Sequence, residues 1–490
     1  MKLLTRIVSV ITNWRRWIVA FPRAYRLHVV LAVFTLVGTL TLEHHDYWTD
    51  EIHTLRAIRL NWSDLVVQRA GAGHPPLFFF VEKAISILFG TTEGVLRIFP
   101  FVCGIGSVVT VYWVLLRTFR ESAAIMGCLL FALSPAQLFI SQMARSYVLL
   151  QLVFWLFIFL VISRRVHGRK ELVGGMLLCA CAVYTHSLAL LWIPVLLISI
   201  LLAWPERWGI VLAGAIGTAT FLPLQFLFNR VNDPSHAVSE TVIKSFEWLE
   251  LPARLYFGRH LRDVPVLVVI LATILMTIPL LGLRIFGRTK DDSLRRFFFM
   301  SFLAICLIST FFAIQGTNFV AVERYFAPLF PLTAFVVAWW VEIIEKLGVR
   351  SRGLCNVALL LAGFASSIVY IRNPPFLESR AVAQCLTKNR TFGESVLFYG
   401  LYSRQLPFEY YYPNNYVMYF VENKKLQLQK EQLAGKGFWV LVSPADSLRL
   451  GMLMGECERV GARLENSYDF RGERLIYFRL YSSGAESSPR

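Results

Sequence analysis

Charged residues are scarce in this sequence: they make up 17% of its 490 residues, whereas ordinary soluble domains carry about 25%. Hydrophobic residues make up 56% of the chain, and the mean hydropathy is +0.55. Apolar stretches of transmembrane length recur between residues 27 and 371, and a backbone in lipid must satisfy its polar groups within helices. The composition therefore excludes a soluble protein and indicates a polytopic α-helical membrane protein.

Metal-binding and redox cysteine motifs are also lacking, although the chain has eight cysteines. Most of them lie in or beside apolar segments, where a cysteine acts as a small hydrophobe. Cys179 and Cys181 are two residues apart and would face different sides of a helix, which makes a poor chelate. Cys385 and Cys457 fall in the C-terminal tail, and they are expected to form a disulfide if that tail lies in an oxidising compartment.

Acidic residues are outnumbered, with 32 Asp and Glu against 49 Lys and Arg. The basic residues form short runs between apolar segments, which is typical of cytoplasmic loops and not of a nucleic-acid-binding face. We therefore predict no nucleic-acid partner, a bacterial inner-membrane location and a cytoplasmic N-terminus. About eleven spans follow, at residues 27–42, 97–116, 122–141, 148–163, 171–186, 187–204, 208–228, 264–283, 297–314, 326–345 and 354–371.

The segment between the first two spans, residues 43–96, is predicted as one long periplasmic loop. Two apolar stretches within it, 52–69 and 75–90, are short or weakly apolar, and the second carries two charges midway. We predict that both are helices lying along the outer membrane surface. A second large periplasmic loop is expected at residues 229–263.

The C-terminal tail, residues 372–490, differs in composition from the rest. Short β-like runs such as GFWVLVSP and RLIYFRLY alternate with polar helical stretches such as LESRAVAQCLTKN. This alternation is typical of a small α/β domain. The sequence thus predicts a transmembrane domain over residues 1–371 and a periplasmic α/β domain over residues 372–490.

Candidate chemical groups gather at the predicted outer ends of the spans. Asp50 and Glu51 open the first external loop. A carboxylate there can serve as a general base for an acceptor or hold a metal ion, and an N-cap of the following helix is the alternative. His74, in the stiff sequence GHPPL, can donate to a phosphate oxygen or bind a metal, with a packing role as the alternative.

Two arginines stand at the same predicted face. Arg145 and Tyr147 fall in a short external turn, and Arg324 and Tyr325 fall at the outer end of the tenth span. A single interfacial arginine can simply reach the headgroups of membrane lipids. Two of them on one side are instead expected to bind a lipid-linked phosphate, because guanidinium groups match phosphate oxygens. His186, in the sequence YTHS, joins this face.

Motifs follow one another in a fixed order: YWTDEIHT, HPPLFFF, EGVLR, SQMARSYVLL, THSLAL and ERYFAPLFP. This ordered set covers about residues 43–335 and resembles bacterial GT-C glycosyltransferases, which are similar to protein O-mannosyltransferases and the lipid A aminoarabinose transferase. The resemblance implies a GT-C-like membrane domain and a transferase that acts on the periplasmic side. Its donor would be a polyprenyl-phosphate-linked sugar, and its acceptor a glycan, a lipid or a protein.

The resemblance also implies roles for the residues that match its motifs. Asp50 would be the catalytic base or the acid that orients the acceptor, with Glu51 supporting it. His74, Arg145 and Arg324 would surround the donor phosphate.

No cofactor is predicted to be required, and a divalent metal stays open. The turn SQMARSY has Gln142 near the position where some relatives carry Glu, so a second metal-binding carboxylate is missing from the expected place. The alternative function is a transporter or flippase of lipid-linked sugar, since intramembrane charges often mark substrate paths. Against transport, the sequence shows no inverted repeat and no broken-helix pair.

Overall fold

The computed structural model describes a large part of the chain: residues 23–231 apart from 44 and 164–167, then 251–257, 293, 296, 297, 300, 301, 323–372 apart from 348, 378–391, 394–400, 402–413, 417–420, 437–443, 447–470 and 473–480. The second predicted external loop, 229–263, lies largely outside the described residues. The same is true of the spans predicted at 264–283 and 297–314.

Contacts divide the chain into two compact units. One contains Met1–Leu42 and Ala57–Asn373, and the other contains Glu43–Arg56 and Pro374–Arg490. The second unit therefore includes a short segment from near the N-terminus as well as the tail. The sequence assigns that segment to the first external loop, and nothing in its composition shows that it packs with the tail.

Helices dominate the chain before the tail. In order they are α1 (Arg23–Thr41), α2 (Thr49–Ile58), α3 (Trp62–Gly71), α4 (Leu77–Phe89), α5 (Glu93–Thr118), α6 (Glu121–Ala132), α7 (Pro135–Ser141), α8 (Tyr147–Ser163), α9 (Arg169–Thr185), α10 (Ala189–Ala203), α11 (Trp208–Ala219), α12 (Leu222–Val231), α13 (Leu251–Phe257), α14 (Leu332–Leu347) and α15 (Val349–Arg372). Two 3₁₀ segments span Pro205–Arg207 and Glu323–Leu329.

Among the described residues, two helical stretches are long and apolar enough to cross a bilayer, Glu93–Thr118 and Pro205–Phe228. A third candidate is the bent pair formed by α6 and α7. Shorter apolar helices include α8 and α10. The mostly helical architecture agrees with a membrane protein, and the number of eleven spans stays a prediction.

The span predicted at 122–141 is broken in the structure, where α6 and α7 meet at an angle of 60°. The break follows from the sequence Ser134-Pro135, because a proline in a helix interior removes a hydrogen bond and clashes with the preceding turn. The Ser134 side chain accepts the N–H of Gln137 at 3.2 Å and so caps α7. The stretch 122–141, predicted as one span, is therefore two helices in the structure.

Close helix packing in the first unit depends on glycine. A Cβ atom at Gly217 of α11 would lie 2.1 Å from the carbonyl oxygen of Met176 in α9. A Cβ at Gly127 of α6 would lie 2.3 Å from the carbonyl oxygen of Ala334 in α14. Small residues of this kind let helix backbones approach in a membrane, where apolar side chains alone give little drive to associate.

The region of the two predicted surface helices contains three helices, α2, α3 and α4. The stretch 52–69 is interrupted because Asn61 caps α3, accepting the N–H of Asp64 at 2.8 Å. Lys83 of α4 is 8% exposed and donates to the carbonyl oxygens of Ile58 at 2.8 Å and Leu60 at 2.5 Å. The Ile58 carbonyl is the last of α2 and Leu60 follows it closely, and a cation is favourable at this end of a helix. Lys83, one of the two charges in the middle of the stretch 75–90, thus has a structural role.

The tail forms an α/β sheet, as its alternating segments predict. Its elements are α16 (Ser379–Asn389), β1 (Ser395–Gly400), α17 (Tyr402–Tyr411), β2 (Val417–Phe420), β3 (Gly437–Ser443), α18 (Ser447–Arg459), β4 (Ala462–Phe470) and β5 (Glu473–Leu480). The strand order is β2-β1-β3-β5-β4. Strand β1 is parallel to β2 and β3, and β5 is antiparallel to β3 and β4.

The two faces of this sheet carry separate hydrophobic clusters. Leu397 belongs to the cluster that includes Cys457, and Phe398 belongs to the cluster against which Cys385 packs. Because successive strand residues point to opposite faces, the two cysteines lie on opposite sides of the sheet. Both thiols are free. The predicted Cys385–Cys457 disulfide was therefore wrong, since a sheet separates its partners.

Candidate functional site

A short turn brings His74 next to Arg145 in the first unit. After α3 ends, Gly73 adopts a φ of 69°, which favours glycine, and the His74 N–H donates to the carbonyl oxygen of Arg69 at 2.8 Å. Pro75 and Pro76 then lead into α4. The turn places His74 Nε2 3.3 Å from Arg145 Nη2. Arg145 itself is 4% exposed and lies in the turn between α7 and α8.

The imidazole of His186 joins His74 to the first turn of α8. The His74 and His186 ring centroids are 5.9 Å apart, and those of Tyr147 and His186 are 4.9 Å apart. His186 Nδ1 accepts the N–H of Leu188 at 3.1 Å, so the neutral ring carries its proton on Nε2. This contact orients the ring at the break between α9 and α10.

Arg324 completes the cluster from the 3₁₀ segment Glu323–Leu329. Its Nε donates to the Tyr147 hydroxyl at 3.1 Å, and its guanidinium lies 5.9 Å from the Tyr147 ring and 5.8 Å from the Tyr325 ring. Trp192 of α10 donates from Nε1 to the Tyr325 carbonyl oxygen at 3.0 Å. The structure therefore brings together all the candidate donor-binding residues that the sequence singles out: His74, Arg145, Tyr147, His186, Arg324 and Tyr325.

Gln142 is engaged in structural hydrogen bonds beside this cluster. Its Nε2 donates to the carbonyl oxygen of Gly38 at 3.1 Å and to the Thr41 hydroxyl at 2.6 Å, and its Oε1 accepts the Tyr370 hydroxyl at 2.9 Å. The amide thus ties α7 to α1 and α15. Within the described part of the chain, no three His, Cys, Asp or Glu side chains are grouped to hold a metal ion.

Arg69 is a member of the cluster that the sequence does not reveal. It lies in the last turn of α3, is 5% exposed, and has its guanidinium 5.2 Å from the centre of the Phe79 ring. The Arg145 guanidinium lies 5.9 Å from the same ring. Arg69 is a single arginine in the stretch WSDLVVQRAG, and nothing in this local sequence shows that its side chain is buried. Only the packing in the structure reveals its burial.

Asp50 and Glu51 belong to the other compact unit, in the first turn of α2. Glu51 is fully buried, and its Oε2 accepts the N–H of Trp48 at 3.3 Å, as the acidic member of a capping box does. The Asp50 carbonyl oxygen accepts the Thr54 hydroxyl at 3.3 Å. Asp50 is half-buried. The capping alternative thus fits Glu51.

Solved structures provide a comparison for this fold. ArnT from Cupriavidus metallidurans in the apo state is similar over 92% of this chain and 97% of its own, at 14% identity and a TM-score of 0.57. The same protein bound to undecaprenyl phosphate matches over 94% of this chain and 99% of its own, at 12% identity and a TM-score of 0.55. Both are GT-C glycosyltransferases. The chain therefore has the GT-C fold, and the resemblance drawn from its motifs is confirmed.

A family model also matches part of the chain. Residues 73–225 match the family described as dolichyl-phosphate-mannose-protein mannosyltransferase. The matched region contains His74, Arg145, Tyr147 and His186. No curated protein matches the sequence.

Proposed function

We propose that this chain is an integral-membrane glycosyltransferase that moves a sugar from a polyprenyl-phosphate-linked donor to a cell-envelope acceptor on the periplasmic face. The observation that carries the proposal is the cluster of Arg145, Arg324 and two histidines on a GT-C fold. Arg145 is buried and Arg324 is half-buried, and two guanidinium groups close to one position favour a phosphate ligand. Support comes from ArnT, whose solved complex contains undecaprenyl phosphate.

The proposed reaction is a transfer from phosphate to an acceptor hydroxyl or amine. Asp50 takes the acceptor proton as the acceptor attacks the anomeric carbon, and the bond from that carbon to the phosphate oxygen breaks with its electron pair on the oxygen. The departing phosphate gains negative charge, which Arg145 and Arg324 stabilise. The acceptor class, whether glycan, lipid or protein, and the type of sugar depend on surfaces outside this cluster.

The test of the proposal is turnover. Purified full-length protein in lipid nanodiscs, given a polyprenyl-phosphate sugar and an envelope extract as acceptor, should release free polyprenyl phosphate. Arg145→Ala should abolish most of the release, whereas Arg459→Ala should not, because Arg459 lies in α18 of the tail, where it pairs with its helix neighbour Glu456 at 2.9 Å. Absence of release from the wild-type protein with every acceptor fraction would overturn the proposal.

Transport of a lipid-linked sugar is the alternative, and the break between α6 and α7 is the observation that favours it, because broken helices occur in transporters. The same nanodisc preparation distinguishes the two. A flippase moves the intact donor between leaflets of a vesicle and releases no polyprenyl phosphate. Recovery of intact donor on the opposite leaflet, without cleavage, would favour the alternative.

The proposed orientation places the cluster and the tail in the periplasm. Single cysteines introduced near Arg145 and in the tail should react with an impermeant maleimide added outside whole cells with a permeabilised outer membrane. A cysteine beside Arg169, which follows a predicted cytoplasmic cluster, should react only after the inner membrane is opened. Equal labelling of both positions from outside would contradict this topology.

A further inference from the structure

The tail holds the segment that carries Asp50. Within the second compact unit, Asp46 Oδ2 accepts the backbone N–H of Arg380 at 2.7 Å, and Asp46 Oδ1 lies 3.3 Å from Arg380 Nε. The Tyr47 N–H donates to the Tyr411 hydroxyl at 2.7 Å. The Arg380 guanidinium in turn lies 5.2 Å from the Tyr411 ring. We call these four residues the Asp46 clasp.

The clasp satisfies groups that would otherwise need partners. Arg380 lies in the first turn of α16, whose N-cap residue Glu378 makes no side-chain capping bond. The Asp46 carboxylate therefore supplies an acceptor and a negative charge at the start of that helix. Tyr47 is 1% exposed, so its N–H would be left unsatisfied if the Tyr411 hydroxyl were removed.

The clasp is close to Asp50 in sequence, and hydrogen bonds fix the backbone between them. Asp46 and Tyr47 precede Asp50 by four and three residues. Between them, the Trp48 N–H donates to Glu51 and the Trp48 carbonyl oxygen accepts the Ile52 N–H at 3.0 Å, which fixes the start of α2. An exposed pair follows at the other end of α2, with 3.6 Å between Arg56 and Glu409. It contributes little, because such pairs are screened by solvent.

We propose that Arg380 and Tyr411 are positioning residues that hold the Asp50 carboxylate in its reactive place. On this account the tail contributes to catalysis by holding the segment that carries Asp50. The inference rests on the proposed function of Asp50 as the base. It concerns geometry and not affinity for the donor, so its effects should fall on kcat.

The test uses Arg380→Ala and Tyr411→Phe in the full chain. Each should lower kcat by about tenfold with donor KM unchanged, since a catalytic group displaced by ~1 Å loses up to about 100-fold in rate. Asp46→Ala combined with Arg380→Ala should lose no more than Asp46→Ala alone, because the Asp46 substitution already removes the ion pair that Arg380→Ala breaks. The matched control is Arg479→Ala, which breaks a pair with Glu465 at 2.8 Å between β5 and β4.

Hydrogen exchange supplies a readout that does not depend on turnover. Amides of α2 should exchange faster in Arg380→Ala and Tyr411→Phe and at the wild-type rate in Arg479→Ala. Unchanged kcat and unchanged exchange in both clasp variants would overturn the inference. If Asp50→Asn has full activity, the proposed base is wrong instead. If Asp50→Asn is inactive and the clasp variants are fully active, only the positioning role fails.

A second and independent observation concerns Arg69 in the first unit. Its Nε is buried and makes no hydrogen bond, and no carboxylate among the described residues forms an ion pair with it. Burial, and then the charge of Arg145, lower the pKa of the Arg69 guanidinium to about 10. A cation kept from water beside a second cation costs free energy that an anionic ligand would offset.

The geometry points to Arg69 as a further phosphate-binding residue of the donor site. It shares the Phe79 ring with Arg145, and its carbonyl oxygen holds the His74 turn. The inference deepens the proposed function by adding a guanidinium for the lipid-linked phosphate. Arg207 is the matched control, because it is also buried, 4.5 Å from the Trp204 ring, and donates to the carbonyl oxygen of Val161.

Binding of polyprenyl phosphate to the purified protein tests this role. Arg69→Met should weaken binding by at least about tenfold, as expected for one charge-assisted hydrogen bond, and Arg207→Met should leave it unchanged. Phosphatidylglycerol should not compete, which separates the lipid-linked phosphate from ordinary headgroups. Equal affinity of Arg69→Met and wild type, or full competition by phosphatidylglycerol, would overturn the assignment whether or not the protein transfers sugar.

Discussion

Arg145 Nη2 and His74 Nε2 lie 3.3 Å apart, and this contact defines the state of the histidine. A guanidinium can only donate, so His74 Nε2 accepts and the neutral ring carries its proton on Nδ1. His74 thereby orients Arg145 with one nitrogen and keeps a donor on the other. An imidazolium would instead place two cations against each other.

Replacement of His74 tests this contact. His74→Gln should preserve part of the donor affinity, because its Oε1 can accept from Arg145, whereas His74→Ala should lose more of it, because alanine offers Arg145 no acceptor. Donor affinity of the purified variants, measured at one salt concentration, checks the order. If the alanine variant binds as well as the glutamine variant, the histidine does not act as an acceptor.

Asp50 and Glu51 both lie in the first turn of α2, and we expect Asp50 to have a chemical role and Glu51 a capping role. Asp50→Asn should reduce turnover by about 100-fold, as expected for loss of a general base, with donor binding intact. Glu51→Gln should be mild, because glutamine can also accept the Trp48 N–H. Turnover and thermal unfolding are measured together. Equal loss of folded protein in both variants would assign a capping role to both residues.

Arg324 offers a graded test of phosphate binding. Arg324→Ala should weaken donor binding and slow transfer together, by about 2–4 kcal/mol if the contact is desolvated and charge-assisted. Lysine should rescue only in part, since it keeps the charge and loses both the fork and the Nε bond to Tyr147. An arginine that merely touches headgroups would show full rescue by lysine in the same binding assay.

The cysteines of the tail should remain reduced and differ in reactivity. Burial raises the pKa of the Cys457 thiol to about 12, and burial also raises the pKa of the half-buried Cys385. Maleimide should therefore label Cys385 slowly in the native protein and Cys457 only after unfolding. Mass spectrometry of alkylated protein measures both. A Cys385–Cys457 crosslinked peptide would contradict the sheet that separates them.

Glu394 should make the stability of the tail depend on pH. Burial alone would raise the pKa of its carboxyl, but hydrogen bonds from Thr391, Tyr477 and Trp439 outweigh burial and lower it. A depressed pKa stabilises the fold above the unfolded-state pKa, and this contribution is lost as the pH falls through the folded-state value. Glu394→Gln should speed amide exchange in β1 and β3 at pH 7, with a smaller difference from wild type at pH 4.

Much of the cluster around Arg145 could be predicted because its residues lie at the ends of predicted spans. His74, Arg145 and Arg324 each follow or precede an apolar run, and apolar runs show where a membrane boundary falls. Contacts between distant segments carry no such local signal. Arg69 is one case, and the Asp46 contact with Arg380 is another, since its partners are 334 residues apart.

Local chemistry explains the other differences. Asn61 and Ser134 are ordinary cap residues, and each divides a stretch whose hydropathy favours one continuous helix. Hydropathy averages over such breaks, so the windows at 52–69 and 122–141 hide them. For Cys385 and Cys457, spacing along the chain gives no information about the face of a sheet on which each element packs.

Helix α4 fixes the distance between the polar His74 turn and a group of exposed apolar side chains. It begins at Leu77, directly after the His74 turn, and ends in Ile87, Leu88 and Phe89, whose exposed fractions are 66%, 73% and 69%. Its 13 residues span about 20 Å as an α-helix. If these three apolar side chains lie in the hydrocarbon of the bilayer, helix α4 holds them at a fixed distance from His74. A change in bilayer thickness would then change the depth at which the cluster around His74 and Arg145 lies relative to the phosphate of a membrane lipid. The contacts within the cluster would stay the same.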